Sequence, residues 1–282
     1  MARWRRIPQV LLLIETSRAY GRGLVDGITR YAEENGPWSI VFEERGLMDP
    51  FPRWLKQWQG EGILSRTPHR QDLDKLLTLR VPVVELYAGP RSVMPWVIPD
   101  EEAVARLAAE HFFDRGLREL AFFATDRYHW IEGRRRAFDR AVRQRGARCR
   151  CFRFAPRRTA GRKPRPLDDR SVARWLRSLP RPCGIFCASD FYAMRLTRAC
   201  RNCGIVVPEQ MAVLGVDNDP VFCGTSYPRL SSIDLGSARI GYQAAALLDR
   251  LMAGQSAPEG GVCLEPLHVI TRESTDILAV DD

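Results

Sequence analysis

No stretch of this sequence reaches the roughly 18 uninterrupted apolar residues that a membrane-spanning helix needs. The longest early run, Val10-Leu11-Leu12-Leu13-Ile14, stops at Glu15 and has the length of a buried strand. The start, Met1-Ala2-Arg3-Trp4-Arg5-Arg6, has the charge of a secretion signal, but the apolar stretch behind it is short and no small-residue cleavage site follows. A cytoplasmic protein, with no membrane partner, is the expectation. Histidine is scarce: four in 282 residues, at His69, His111, His129 and His268. So few and so scattered, they give a catalytic triad little to be built from. There is no phosphate-binding P-loop, zinc-protease motif or G-x-S-x-G elbow either. No nucleophile–base pair can be named, so the chain reads as a non-enzyme, with no catalytic residue, no metal and no cofactor assigned.

Cysteine is not scarce, but its spacing is poor in chemistry. Cys200 and Cys203 form a C-x-x-C, yet a zinc site usually needs a second such pair, and the eight cysteines supply none. Cys183 and Cys187 lie among Ile, Phe and Ala like small core residues. Cys149 and Cys151, two apart, share a face if they lie on a strand. Reduced, structural thiols agree with the cytoplasm.

Of the charged residues, 43 are basic and 34 acidic, a net charge of +9 that is compatible with an anionic partner such as DNA. Much of the excess is local. Arg134, Arg135, Arg136, Arg140, Arg143, Arg145, Arg148, Arg150 and Arg153 crowd one stretch, read mostly as the wet face of a helix. A second group from Arg157 to Arg165 is interleaved with Pro and Gly and reads as a solvated loop. Neither carries the aromatic interleaving of a single-strand platform.

Short apolar strands alternate with amphipathic helices along the whole chain. Strands are expected at Val10–Ile14, Ser39–Glu43, Gly62–Leu64, Val81–Leu86, Leu120–Ala124, Cys149–Phe154, Gly184–Ala188, Met211–Val216 and Leu264–Ile270. Helices are expected between them, among them Glu101–Arg115 with Asp100 as N-cap and Gly116 as stop, and Gly236–Met252. The alternation predicts an α/β protein with doubly wound parallel sheets, and its repetition predicts two lobes. Ligands on such sheets bind at the carboxyl ends of the strands, which form a cleft where two lobes face each other.

One motif imitates a dinucleotide fingerprint: Gly21-Arg22-Gly23, with Gly27 beyond and the acids Glu43 and Glu44 about 20 residues on. The third glycine should fall at position 26, where Asp26 would oppose a pyrophosphate. The polar residues at predicted strand exits are more telling. Glu15, Ser17 and Arg18 follow the first strand, Trp130 and Arg134 open the helix after the fifth, and Asp190, Asp217 and Asn218 follow two later strands. Vicinal sugar hydroxyls suit carboxylates and guanidinium, and the apolar face of a sugar suits an aromatic ring. A plainer reading makes Asp190 and Asp217 caps of the following helix or turn.

The segments Gly184-Ile185-Phe186-Cys187-Ala188-Ser189-Asp190, Gly204-Ile205-Val206-Val207-Pro208-Glu209, Val213-Leu214-Gly215-Val216-Asp217-Asn218 and Leu230-Ser231-Ser232-Ile233 resemble the effector domain of the lactose-repressor family, in order and over nearly the whole chain. Ala19-Tyr20 followed by Arg22, Trp130-x-x-x-Arg134, Gly241-Tyr242-Gln243-Ala244-Ala245 and Arg272-x-Ser274-Thr275-Asp276 are similar to the regulators of xylose operons within this broader group, whose sugar domain precedes an arabinose-regulator-type helix-turn-helix pair. The resemblance implies a periplasmic-binding-protein-like fold of type I with three crossovers. The first lobe would be 1–125 plus 235–264, the second 126–234 plus 265–276, and 277–282 would begin a linker. It implies a sugar effector, D-xylose before other pentoses. Arg134, Asp190 and Asp217 would grip hydroxyls, Trp130 would pack on the ring, Asn218 would adjoin them, and Glu15, Ser17 and Arg18 would contribute from the first lobe. Glu15 and Ser17 stand where the xylose regulators have amides, which makes sugar binding firmer than pentose identity.

The same resemblance implies a homodimer formed through the first lobe, with Glu101–Arg115, Leu73–Leu79 and Val93–Val97 supplying surface. Lobe closure and dimer geometry would change with the ligand, and DNA would be read only by a C-terminal domain beyond this chain. The expectation is therefore a sensor domain cut from a longer transcription regulator. A transport-type sugar-binding protein is the alternative; it should carry a signal peptide and would rarely keep eight free thiols.

Overall fold

In the computed structural model, residues 7–87, 92–125, 128–152, 169–258 and 261–277 are described. The Pro- and Gly-rich basic loop 157–165, all but the first residue of the expected linker 277–282 and the basic start 1–6 lie outside them. The chain divides into two compact units, Met1–Pro99 with Gly236–Leu264, and Asp100–Leu235 with Glu265–Asp282, and passes between them three times.

The first unit is wound from β1 (Gln9–Leu13), α1 (Ala19–Asn35), β2 (Ser39–Phe42), β3 (Gly62–Ser65), α2 (Arg70–Leu77), β4 (Val83–Glu85) and β5 (Val97–Pro99). The first four of these strands form a parallel sheet in the order β2-β1-β3-β4, with Leu11 opposite Val41 on one side and Ile63 on the other. One apolar face, carrying Leu11, Leu13, Ile63 and Val83, closes over Phe51, Leu55 and Leu76. In α1 the glycines of the dinucleotide look-alike turn out to be packing residues. A Cβ on Gly23 would lie 2.0 Å from Ser237 Oγ, and one on Gly27 would lie 1.9 Å from the carbonyl oxygen of Ala238, so α1 can meet the later helix α8 (Ser237–Met252) only with hydrogen at these positions.

The second unit begins with α3 (Glu101–Phe113), β6 (Leu120–Phe123), α4 (His129–Gln144), β7 (Cys149–Cys151), α5 (Asp169–Ser178) and β8 (Cys183–Cys187). It continues with α6 (Asp190–Asn202), β9 (Met211–Val216), α7 (Pro220–Thr225) and β10 (Ser231–Asp234). β11 (Val262–Leu264) pairs with β5 in the first unit, and β12 (His268–Ile270) closes the second. The six-stranded order is β12-β10-β9-β8-β6-β7, parallel except for β12 against β10. Phe112, Phe122, Phe138 and Phe186 are fully buried, with the Phe138 and Phe186 ring centroids 4.9 Å apart. Asp100 caps α3 as expected, accepting from the backbone N–H groups of Glu102 and Ala103 at 2.9 and 3.1 Å.

Two expectations are corrected. The stretch from 100 to 125 belongs to the second unit, not the first: β6 hydrogen-bonds to β7 and β8, and α3 packs on α4, so the first passage falls at Pro99–Asp100. The apolar run Leu264–Ile270 is two strands, β11 and β12, one in each unit. Pro266 lies between them and lacks the N–H that a continuous ladder would use.

Apart from buried Arg134, the arginines in and just after α4 are half-buried or exposed, and paired: Arg135 and Arg136 with Glu132 at 2.6 and 3.0 Å, Arg143 with Asp139 at 3.0 Å, Arg145 with Glu110 at 3.3 Å, and Arg140 with Glu102. Cys183, Cys187 and Cys200 are buried, and burial pushes each thiol up, to about 12 for Cys183 and Cys200, leaving them protonated and inert. Among the described residues no group of three or more His, Cys, Asp or Glu is arranged to hold a metal ion, and no helix is long and apolar enough to cross a membrane.

Candidate functional site

In each unit the parallel strands end in polar side chains, as the doubly wound architecture leads one to expect. In the first unit Glu15, two residues past β1, is buried and pairs with Arg66, one residue past β3, at 3.1 Å. Ser17 Oγ donates to the other carboxylate oxygen. The Arg66 guanidinium lies over the rings of Tyr20 and Tyr87, 5.0 and 5.7 Å from their centroids, which fixes its fork as a pre-organised donor. Arg18, half-buried, precedes α1, and its carbonyl accepts from the backbone of Arg22 at 3.1 Å.

Glu85 closes β4 beside Ser65 and has no exposure. Its two oxygens, Ser65 Oγ and Arg66 Nε find no hydrogen-bond partner among the described residues. Burial pushes the Glu85 carboxyl up to about 8; the nearby N–H groups of Thr67, Tyr87 and Leu86 and the charge of Arg66 offset this only in part. Sequence reasoning passed over both Arg66 and Glu85. The signal for Glu85 was present: an acid directly after Val81-Pro82-Val83-Val84 cannot leave a buried strand end.

In the second unit the expected residues fall into two groups, Trp130 with Arg134 and Asp190 with Asp217 and Asn218. Arg134, in the second turn of α4, is 2% exposed. It holds Glu101 with two hydrogen bonds, Nε to Oε2 at 2.6 Å and Nη2 to Oε1 at 2.9 Å, and donates from Nη1 to the carbonyl of Ala188 at 2.5 Å, just past β8. Its guanidinium carbon lies 5.2 Å from the ring of Trp130, whose buried Nε1 finds no partner among the described residues. A ring held against a guanidinium with an unmet donor is a surface that a hydroxylated ring can use.

Asp190, the first residue of α6, is placed otherwise than expected. It has no exposure, and both oxygens are taken inside the unit. Oδ2 accepts from the backbone N–H of Asp219 at 2.7 Å and from Cys223 Sγ at 3.4 Å, and Oδ1 accepts from Ser232 Oγ at 2.6 Å. Burial first, then the charge of Asp217, push its carboxyl well above the usual range. Nor does it cap its own helix, since no side-chain cap is made at the start of α6.

Past β9 the chain enters a turn in which Asp217 and Asn218 both have positive φ, 103° and 49°. Such backbone costs of order 1–3 kcal/mol per residue and persists only where its surroundings over-determine it. The supports are visible. The Asp217 N–H bonds the carbonyl of Ile233 at 3.0 Å, and the Asn218 N–H bonds Ser232 Oγ at 3.0 Å. The Asn218 side chain is engaged at both ends: Oδ1 accepts from Arg272 Nη2 at 2.7 Å, and Nδ2 donates to Asp234 Oδ2 at 3.3 Å.

Comparison with known proteins bears on both units. Residues 109–275 match the family model described as a periplasmic binding protein-like domain. The xylose operon regulatory protein of Escherichia coli (strain K12) is 29% identical over 285 residues, covering 97% of this chain and 71% of that protein. Its counterpart in Haemophilus influenzae is 26% identical over 283 residues, covering 97% and 72%. Among solved structures, a xylose-binding transcription activator superposes with a TM-score of 0.85 at 26% identity, covering 99% of this chain and 72% of the other.

Proposed function

The chain belongs to the periplasmic binding protein-like family, and from that premise we propose that it is the effector-binding part of a cytoplasmic transcription regulator that senses a neutral sugar, D-xylose before other pentoses. One observation carries the reading toward a sugar. Arg134 and Trp130 form a guanidinium–indole surface in the same unit whose neighbouring strand exit presents Asp217 on a strained turn. The likeness to xylose operon regulators over 97% of the chain supports the choice of pentose and of a regulatory role. Arg134 and Arg66 are ion-paired with Glu101 and Glu15, so neither of these two guanidinium groups is the uncompensated charge that would favour a phosphorylated sugar.

In this proposal Asp217 and Arg134 take hydroxyls, Trp130 takes the apolar side of the ring, and Glu15, Ser17 and Arg18 contribute polar contacts from the first unit. DNA is read by a further domain of the full-length regulator, and the regulator works as a homodimer.

A thermal-shift panel of D-xylose, L-arabinose, D-ribose, D-glucose and glucose 6-phosphate tests the ligand class. Binding to the folded state alone stabilises by about 2.7 kcal/mol at 100 times the Kd, a clear rise in Tm. D-xylose is expected to give the largest shift. Stabilisation by glucose 6-phosphate with none from any free pentose would sink the reading.

A further inference from the structure

We propose that Asp190 is a positioning residue for the effector site: buried beneath the strand exit, it holds the left-handed Asp217–Asn218 turn so that Asp217 is presented to the sugar, and it does not touch the sugar itself. The part of this that concerns the sugar rests on the reading above; the holding of the turn does not.

The argument starts from the two ends of the turn. The N–H of Asp219, the residue after it, ends on Asp190 Oδ2 at 2.7 Å. The N–H of Asn218, within it, ends on Ser232 Oγ at 3.0 Å, and that hydroxyl spends its own proton on Asp190 Oδ1 at 2.6 Å. One carboxylate thus fixes two consecutive backbone N–H groups, one directly and one through a serine. Successive residues with positive φ turn their amides in directions that no strand or helix ladder can satisfy, so these two bonds replace a ladder.

The strand beneath is shaped for the same carboxylate. A Cβ on Gly215 would sit 2.0 Å from Asp190 Oδ1, so β9 carries hydrogen where any side chain would expel the carboxyl. Helix α6, strand β9, strand β10 and the Asp219 cap of α7, whose own side chain accepts from Val221 N–H at 3.0 Å, all converge on this one group. With no exposure and three donors already on its two oxygens, Asp190 is the enclosed acid of the two. Asp217, half-buried and close enough to raise the Asp190 carboxyl by its charge, is the acid that a ligand can reach.

The test has two independent arms. In the sugar-free protein, amide hydrogen exchange at Asn218 and Asp219 is measured in wild type, Asp190→Asn and Ser232→Ala. Faster exchange at these two amides, with the β9 amides unchanged, is expected in both variants; Ser232→Ala serves alone if Asp190→Asn fails to fold. Unchanged exchange in every folded variant overturns the proposal, whether or not any sugar binds. In the second arm, D-xylose affinity is measured in Asp190→Asn, Asp217→Asn and the double variant. Losing the charged partner should weaken Asp217→Asn by roughly one to two decades. Asp190→Asn should weaken binding by about tenfold. The double variant should fall within about twofold of Asp217→Asn, because Asp190 acts only through that residue. Losses that simply multiply would make Asp190 a separate contact and overturn the assignment, as would an Asp190→Asn protein that binds D-xylose like wild type. A wild-type protein indifferent to D-xylose would count against the ligand proposed above, and the exchange arm would still decide the role of Asp190.

Discussion

Two buried residues titrate in opposite senses, and their signs set how stability should change with pH. The Glu85 carboxyl is pushed up to about 8 from an ordinary 4.5, chiefly by burial. Above about pH 4.5 the unfolded chain gives up a proton that the folded protein keeps, so this residue lowers stability progressively until pH passes about 8. His111, bonded through Nε2 to Thr275 Oγ1 at 2.8 Å, is pushed down to about 3 from 6.5 by burial and by the charge of Arg115. Below about pH 6.5 the unfolded chain takes up a proton that the folded imidazole refuses, so this residue lowers stability as the solution is acidified. Between 6.5 and 8 only the Glu85 slope acts of the two. Glu85→Gln keeps the shape and removes the ionisation, so its Tm should exceed that of wild type by more at pH 8 than at pH 5. Parallel Tm profiles for the two proteins would show that Glu85 does not titrate in this range.

At the scale of elements, the helices that pack closest carry the clearest expectation. Glycine in a helix interior costs about 1 kcal/mol relative to alanine, so Gly27→Ala should stabilise an isolated α1. Here the added methyl would meet the backbone of α8, with the Ala238 oxygen 1.9 Å away, and backbone cannot swing aside as a side chain can. Gly27→Ala is therefore expected to destabilise the protein by about 1–3 kcal/mol, as overpacking does, seen as a lower denaturant midpoint at unchanged m-value. A stabilised variant would mean that α1 and α8 are less tightly joined than described. Element types were largely legible in advance because each segment carries its own periodicity: Met211–Val216 stands where the apolar run placed it, and Asp100 caps the helix it was expected to cap. The short strands Val97–Pro99 and Ser231–Asp234 escaped expectation as strands because three or four residues hold too few repeats to show a period.

For the whole molecule, the proposed dimer needs a surface, and the first unit leaves large apolar side chains uncovered. Val93 is 74% and Leu77 48% exposed, and both fall in segments expected to supply the interface. The third such segment, now α3, belongs to the second unit and buries Val104, Ala108 and Phe112 within it. Sedimentation at tens of micromolar should give a dimer, and Leu77→Glu with Val93→Glu should give a monomer that still binds its sugar. A wild-type monomer with and without D-xylose would remove the dimer from the proposal.

The sequence by itself determined the α/β class, the two-unit organisation and the places of Arg134, Trp130, Asp217 and Glu15 after their strands. Periodicity and strand ends are local properties, and these are local signals. Tertiary structure alone decided where the chain first changes unit, because only pairing shows that Leu120–Phe123 joins β7 and β8. It alone showed that Asp190 is enclosed, with both oxygens bonded inside its unit. The partners that consume its oxygens, Asp219, Cys223 and Ser232, lie 29 to 42 residues away, and nothing in the spacing of an acid along a chain reveals which donors the fold will bring to it.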